Sequence, residues 1–411
     1  MNDLAAERIV YDTLKSVFSS GAYSTQALHR ALKNAAPAHR PYITKLFYGV
    51  LDKSIQFDYM IAALTQKKPQ NAVALLLKIG LYLLRYTDTP EFAAVHKTVQ
   101  LAKLTGKRGA EGFINAALKN SVAVSLPSAD TPQGLSVVAS YPEWIVKRLI
   151  EDYGFTFTRD FLLYQLPVST HIRVNQNRIS AEEFAQKYPL ALQNPSEYGY
   201  YVTHNMQSAL EKSDYTVQSL ASMKAVRRYT QDFSPKHVLD LCAAPGGKSV
   251  YLKQLFPSAH ITACDIHAHR VQLIRQYAAA AGAEITVLQN DALIHNPDFT
   301  DRFDLVVCDA PCSGIGVAGK KPEILWNKNE HDITQLAKLQ FDMLIKAADY
   351  VCGGGRLCYS TCTVFKEEND RVAQRFLSAR PDFTLHGEAA RFFPHTDGCD
   401  GFFVAVFVKT C

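Results

Sequence analysis

Residues 237–249 read His237-Val238-Leu239-Asp240-Leu241-Cys242-Ala243-Ala244-Pro245-Gly246-Gly247-Lys248-Ser249. Val238–Leu241 is a short apolar run of the kind buried in a parallel sheet. A Pro-Gly-Gly turn follows, and from Ser249 the pattern becomes helical. A strand entering a helix through such a turn puts the turn at the carboxyl edge of the sheet, where doubly wound folds bind ligands. Glycines there let the backbone approach a ligand, and the helix N-terminus offers free N–H groups. Two nucleotide motifs fail on the letters. A Walker A loop needs glycine where Cys242 stands, and a dinucleotide fingerprint needs G-x-G-x-x-G where only Gly246-Gly247 is present.

Working outward, Ile261–Cys264 reads as a second strand, with a helix over Ala268–Ala281. Ile285–Leu288, Phe303–Cys308, Arg356–Ser360 and Phe402–Val408 read as further strands. Strands alternating with helices predict a parallel, doubly wound α/β domain over residues 236–411. Asp265 stands 18 residues after Gly247, at the end of the second strand. An acid there accepts hydrogen bonds from ribose hydroxyls, and a helix cap is an equally good reading of a lone Asp. Asn290-Asp291, alone, is a turn. Acids after successive strands, with the glycine turn, describe an adenosine-shaped cleft.

All nine cysteines lie after residue 241. An odd count in a chain of this size does not describe a disulfide framework, and without a C-x-x-C pair no metal site is expected. Cys308 and Cys358 sit in apolar strands and read as core. Cys312 lies in Asp309-Ala310-Pro311-Cys312-Ser313-Gly314, and Cys362 in Tyr359-Ser360-Thr361-Cys362-Thr363. Each motif directly follows a strand, in a turn where a thiolate can be exposed and activated. They are 50 residues apart, yet neighbouring strand ends would bring them to one cleft.

The first third has a different pattern. Residues 1–121 show helical periodicity throughout, with Ala72–Leu84 apolar almost all round, as in the centre of a bundle. Ser121–Ser140 carries Pro127, Pro132 and Gly134, and 122–141 reads as a linker. Residues 142–235 mix helix (Trp144–Tyr153, Ala181–Tyr188) with short strands (Ser169–Val174, Tyr198–Val202, Tyr215–Gln218), a small α+β middle domain. The 411 residues are 47% hydrophobic and 20% charged, which excludes a disordered or fibrous chain. Neither a membrane span nor a signal peptide is visible, so the cytoplasm is expected. The net charge of +5 is uneven: residues 1–125 carry +8 and the remainder −3. A basic module beside a near-neutral body suggests an anionic partner.

These motifs together resemble the RsmB-type (Sun or Fmu) 16S ribosomal RNA cytosine-C5 methyltransferases, which are S-adenosylmethionine enzymes. The matching residues are the Cys242–Lys248 loop, Asp265, Asp291, Asp309–Gly314, Ser360–Thr363 with Glu367-Glu368-Asn369, and Asp400-Gly401-Phe402-Phe403. Residues 1–121 resemble a NusB-type RNA-binding bundle, and Arg173-Val174-Asn175 matches the family's middle domain. Two stretches depart from the family: Ser219 follows Gln218 where Asp is usual, and Gly319-Lys320-Lys321-Pro322-Glu323 replaces a two-arginine, Pro-Asp run, with Trp326 retained.

The resemblance implies methyl transfer from S-adenosylmethionine to C5 of a cytosine in 16S ribosomal RNA, of the cytosine 967 type. A transfer RNA or another ribosomal site is the alternative, and the altered Gly319–Lys321 run keeps it open. Cys362 is then the nucleophile that adds to C6, Cys312 helps resolve the adduct, and Asp309 bonds cytosine N3 and N4. Cys242, Ala243, Ala244, Pro245, Gly246, Gly247 and Lys248, with Asp265, hold the methionine and ribose parts of the cofactor. Asp291 holds the adenine, and Asp309 borders the same pocket. The implied partner is RNA, free or in an early small-subunit particle, with no membrane or DNA. Both cysteines and the full set of acids speak against a binding protein with an inactive fold.

Overall fold

In a computed structural model, residues 4–20, 24–166, 169–189, 193–196 and 199–410 are described. The chain forms two compact units, Met1–Tyr164 with Ala318–Lys328, and Gln165–Val317 with Asn329–Cys411.

The first unit is helical. Asn71–Tyr86 runs through its centre and buries Val73, Leu75 to Leu83 without a break. Helices Ala5–Ser20, Arg40–Asp52, Ser54–Leu64 and Glu111–Asn120 all touch it, as does Glu91–Leu104. Each fully buried Leu, Ile or Phe of this core contributes about 1.5–3 kcal/mol. Lys78 is the exception in the apolar run. Its ammonium is buried, which pushes its pKa down, and it bonds Ser54 Oγ at 2.5 Å and Asp58 at 2.8 Å.

The expected linker 122–141 contains a helix, Pro132–Ala139. Pro132 suits the first turn, and Thr131 Oγ1 caps it by accepting from Gly134 N at 3.0 Å. Pro and Gly here start and fit a helix instead of opening a flexible tether. Helix Glu143–Tyr153, expected in the middle domain, also belongs to the first unit, as does Phe155–Leu163, a helix not expected from the sequence. So does the run that departs from the family. Ser24 Oγ donates to the buried Glu323 carboxylate at 2.6 Å, and the Trp326 ring meets Phe18 edge-on at 5.8 Å.

The second unit holds two sheets. The smaller contains β1 (Thr170–Val174), β2 (Gln193–Ser196), β3 (Gly199–Val202) and β4 (Tyr215–Val217), antiparallel in the order β2-β3-β1-β4. Tyr198, expected to open the third of these, lies outside the described residues, as does Cys411. The larger sheet contains β5 (His237–Asp240), β6 (His260–Asp265), β7 (Thr286–Gln289), β8 (Phe303–Asp309) and β9 (Val351–Thr361). It continues with β10 (Phe383–Leu385), β11 (Ala390–Phe392) and β12 (Phe402–Lys409).

Its order is β10-β12-β9-β8-β5-β6-β7, with β11 on β12. Strands β5 to β9 are parallel, as expected. β12 is antiparallel to β9 and to β10, which corrects the all-parallel expectation. The reason is local. Gly401 N donates to Gly316 O at 2.9 Å, so β12 begins at the carboxyl edge and must run back down the sheet. Strand order reverses between β5 and β8, and a crevice opens at such a switch point. Among the described residues, no helix is long and apolar enough to cross a membrane.

Candidate active site

Three loops meet at the switch point. The Cys242–Lys248 loop leaves β5, the Asp309 motif leaves β8, and the Cys362 motif leaves β9. Register does the alignment: Cys308 pairs with Tyr359 and Asp309 with Ser360, so the two cysteine loops start side by side. The Cys312 and Cys362 thiols are 3.3 Å apart and both half-buried. The hydrogen bond to Cys362 and burial push the Cys312 thiol well above its ordinary range.

Asp309 is held at both oxygens. Ser360 Oγ donates to Oδ1 at 2.6 Å and Lys248 Nζ to Oδ2 at 2.6 Å. The buried Tyr229 hydroxyl donates in turn to Ser360 Oγ at 2.6 Å. Burial depresses the Lys248 ammonium, but the carboxylates of Asp309 and Asp240 more than offset this and hold its pKa above the ordinary value. Lys248 was expected among the cofactor residues. Its head group bridges the glycine loop to the cysteine motif.

The loop itself turns on Gly246, whose φ of +112° lies in the left-handed region that favours glycine. The Ala244–Pro245 peptide is cis. Ala243 N donates to Cys264 O and Gly246 N to Ala243 O, which folds the turn back over β6. Gly247 opens the helix Gly247–Leu255, so the first N–H groups of that helix face the crevice edge. Beneath it, Asp240 is buried. Its Oδ2 accepts from Ser249 Oγ at 2.6 Å, and its Oδ1 has no hydrogen-bond partner. Burial raises its pKa to about 6. Cys242 is half-buried, and a hydrogen bond with Cys308 together with burial raises its thiol.

Asp265 ends β6 and is buried; its Oδ1 accepts from His267 N at 3.0 Å, and Arg270 lies 3.8 Å from Oδ2. His267, not Asp265, is the N-cap of the helix Ala268–Ala281, so the cap reading fails, and the Asp265 carboxylate stays at the strand end. Asp291 follows β7 and accepts from Leu293 N at 2.9 Å. Cys308 and Cys358 are fully buried. No cluster of metal-ligating side chains is present among the described residues.

The sequence alone does not single out Tyr229 or Gln340, and Ser313, Ser360, Glu368 and Asn369 occur in the matching motifs without a role. All six are buried around the two cysteine loops. A Glu or Asn in a polar run after a strand reads as surface, so only the family match at Glu368-Asn369 hinted at them.

A family model described as 16S rRNA methyltransferase RsmB/F matches residues 231–408, and a NusB family model matches 5–123. The probable ribosomal RNA small subunit methyltransferase B of Bacillus subtilis (strain 168) is 31% identical, over 100% of each chain. The ribosomal RNA small subunit methyltransferase B of Photorhabdus laumondii is 28% identical over 98% of each. The crystal structure of PH0851 shares the fold, with a TM-score of 0.79 at 23% identity over 98% of each chain. NSun6 from Pyrococcus horikoshii with SFG covers 67% of this chain and 100% of its own, with a TM-score of 0.58 at 19% identity. The chain thus belongs to the ribosomal RNA small subunit methyltransferase B family, and it is an S-adenosylmethionine-dependent RNA methyltransferase with an N-terminal NusB domain.

Proposed function

We propose that this enzyme methylates C5 of a cytosine in 16S ribosomal RNA, of the cytosine 967 type, through a covalent bond between Cys362 and C6. The observation that carries this is the pair of thiols 3.3 Å apart, with Asp309 on the same rim. Cytosine C5 is too weak a nucleophile to take a methyl group directly. Addition of the Cys362 thiolate to C6 makes the ring enamine-like and C5 reactive, splitting one hard step into two. Asp309, oriented by Ser360 and Lys248, accepts from the N4 amino group and from N3–H as N3 takes up the proton released by the Cys362 thiol, which neutralises the charge that the ring gains. Cys312, once its own proton has passed to solvent, takes the C5 proton as thiolate, the C6–S bond breaks, and Cys362 leaves as thiolate.

The donor set suits the cofactor, which when bound supplies an electrophilic methyl group. Its methionine end carries an ammonium and a carboxylate. The orphaned Asp240 Oδ1 offers an acceptor, and the N–H groups of the Gly246-Gly247 turn offer donors. Asp265 would hold the ribose hydroxyls and Asp291 the adenine. The base must leave its stack to be attacked, so the target is a loop or flexible segment. The basic NusB domain supplies salt-dependent affinity for the RNA backbone.

The two cysteines give opposite phenotypes. Cys362→Ala should form no covalent RNA complex. Cys312→Ala should lose turnover yet accumulate a denaturant-resistant protein–RNA species. A denaturing gel with labelled RNA and S-adenosylmethionine reads both, and adduct only in Cys362→Ala would reverse the assignment. Bisulfite sequencing of RNA from a deletion strain identifies the target. Loss of 5-methylcytosine from transfer RNA, with 16S RNA unchanged, would move the function to the alternative substrate.

A further inference from the structure

Glu368 and Asn369 are consecutive, follow β9 closely, and are 0% and 1% exposed. The Glu368 carboxylate accepts from the Ser313 backbone N–H at 2.8 Å, from the Ser313 hydroxyl, and from the Gln340 amide at 3.0 Å. The same Gln340 amide donates to Pro311 O at 2.9 Å. Pro311 and Ser313 are the residues on either side of Cys312. Asn369 does the same for the other loop. Its Oδ1 accepts from Thr361 Oγ1 at 2.5 Å, and its Nδ2 donates to Thr363 O at 3.1 Å. Thr361 and Thr363 flank Cys362. The Ser313 and Thr363 hydroxyls meet at 2.7 Å and close the frame between the loops.

A buried carboxylate is costly, and packed apolar side chains often serve stability as well or better. This one is spent on three donors that all belong to the Cys312 loop or to the helix Glu330–Ala348 behind it. Such a fully bonded network rigidifies what it touches.

We propose that Glu368 and Asn369 are positioning residues that set the separation of the two thiols, Glu368 through the loop of Cys312 and Asn369 through the loop of Cys362. The catalytic consequence rests on the covalent reading above; the geometric one does not.

The test uses the full-length protein without RNA or cofactor. Diamide accepts two electrons and two protons from a close thiol pair, which becomes a disulfide while diamide becomes the hydrazine. The Cys312–Cys362 disulfide is followed by peptide mass spectrometry. Wild type and Glu368→Gln should close at similar rates, because the glutamine Oε1 still accepts from Ser313 N–H and its amide can donate to the Ser313 hydroxyl. Glu368→Ala and Asn369→Ala should close about 10-fold or more slowly, in line with the sensitivity of proximity effects to a displacement near 1 Å.

A second arm repeats the RNA adduct gel. Glu368→Ala should accumulate adduct, and Asn369→Ala should be slow to form it, a split that general loss of stability would not produce. Should an alanine variant fail to fold, Ser313→Ala removes only the hydroxyl link and should also slow closure. Equal oxidation rates in all the proteins would overturn the proposal. The expected rates with no adduct in any protein would uphold the clamp and remove the covalent reading instead.

Discussion

The Lys248 ammonium lies 2.6 Å from Asp309 Oδ2, so the last residue of the glycine loop is bonded to the first residue of the Cys312 motif. Both side chains are largely shielded, with 13% and 27% of their surface exposed, which strengthens the pair relative to one in water. A residue of the glycine loop therefore orients one of the Cys312 motif.

Lys248→Met should accordingly act on the chemical step. With Ser360 alone holding Asp309, kcat should fall by about 10²-fold, the usual cost of losing a preorganised electrostatic contact. Cofactor affinity, measured by calorimetry, should change little. A rise in the cofactor Kd that matches the loss of activity would return Lys248 to the cofactor.

Asp265→Ala should weaken cofactor binding. Charge-assisted hydrogen bonds to two ribose hydroxyls are worth about 1.5–3 kcal/mol, a loss of roughly 10- to 150-fold in affinity. An unchanged titration would leave Asp265 its bond to His267 N and its ion pair with Arg270.

Asp240 makes stability depend on pH. Burial raises its pKa from 3.8 to about 6, so the folded protein holds a proton that the unfolded chain has released. Its contribution is full below pH 3.8 and declines as pH rises through 6. Asp240→Asn cannot ionise. Its Tm relative to wild type, measured without cofactor, should increase between about pH 4 and pH 7, by an amount equivalent to a few kcal/mol at most. A constant difference across that range would show that Asp240 does not titrate there.

Gly316→Ala should disturb the cysteine loops directly. A Cβ there would lie 2.2 Å from Gly401 O and 2.8 Å from Cys362 O, both backbone atoms that cannot move aside alone. Overpacking of this kind costs about 1–3 kcal/mol. Thermal melts should show that loss, and the adduct gel should show slower bond formation at Cys362. Wild-type behaviour in both would mean that the loops adapt.

Much of this protein was legible in its letters because the signals are local. Periodicity near 3.6 marked the N-terminal helices. Apolar strands ending in Gly, Asp or Cys turns marked the parallel core and put every candidate residue at one edge. Cys308 and Cys358 were readable as core, and Cys312 and Cys362 as different, from their neighbours alone. The Pro132–Gly134 stretch misled because the same residues that break helices also begin them, and only packing against the bundle decides which.

Sequence by itself determined the N-terminal helices, the parallel strands of the core and their order along the chain, and the presence of two cysteines in turns just after strands. Tertiary structure alone decided that the thiols stand 3.3 Å apart, that Lys248 turns toward Asp309, and that β12 runs antiparallel to β9. It alone turned Glu368 and Asn369 inward. Each of these depends on strand register or on hydrogen bonds between residues distant in sequence, 61 positions for Lys248 and Asp309, and no local preference of the chain encodes such pairings.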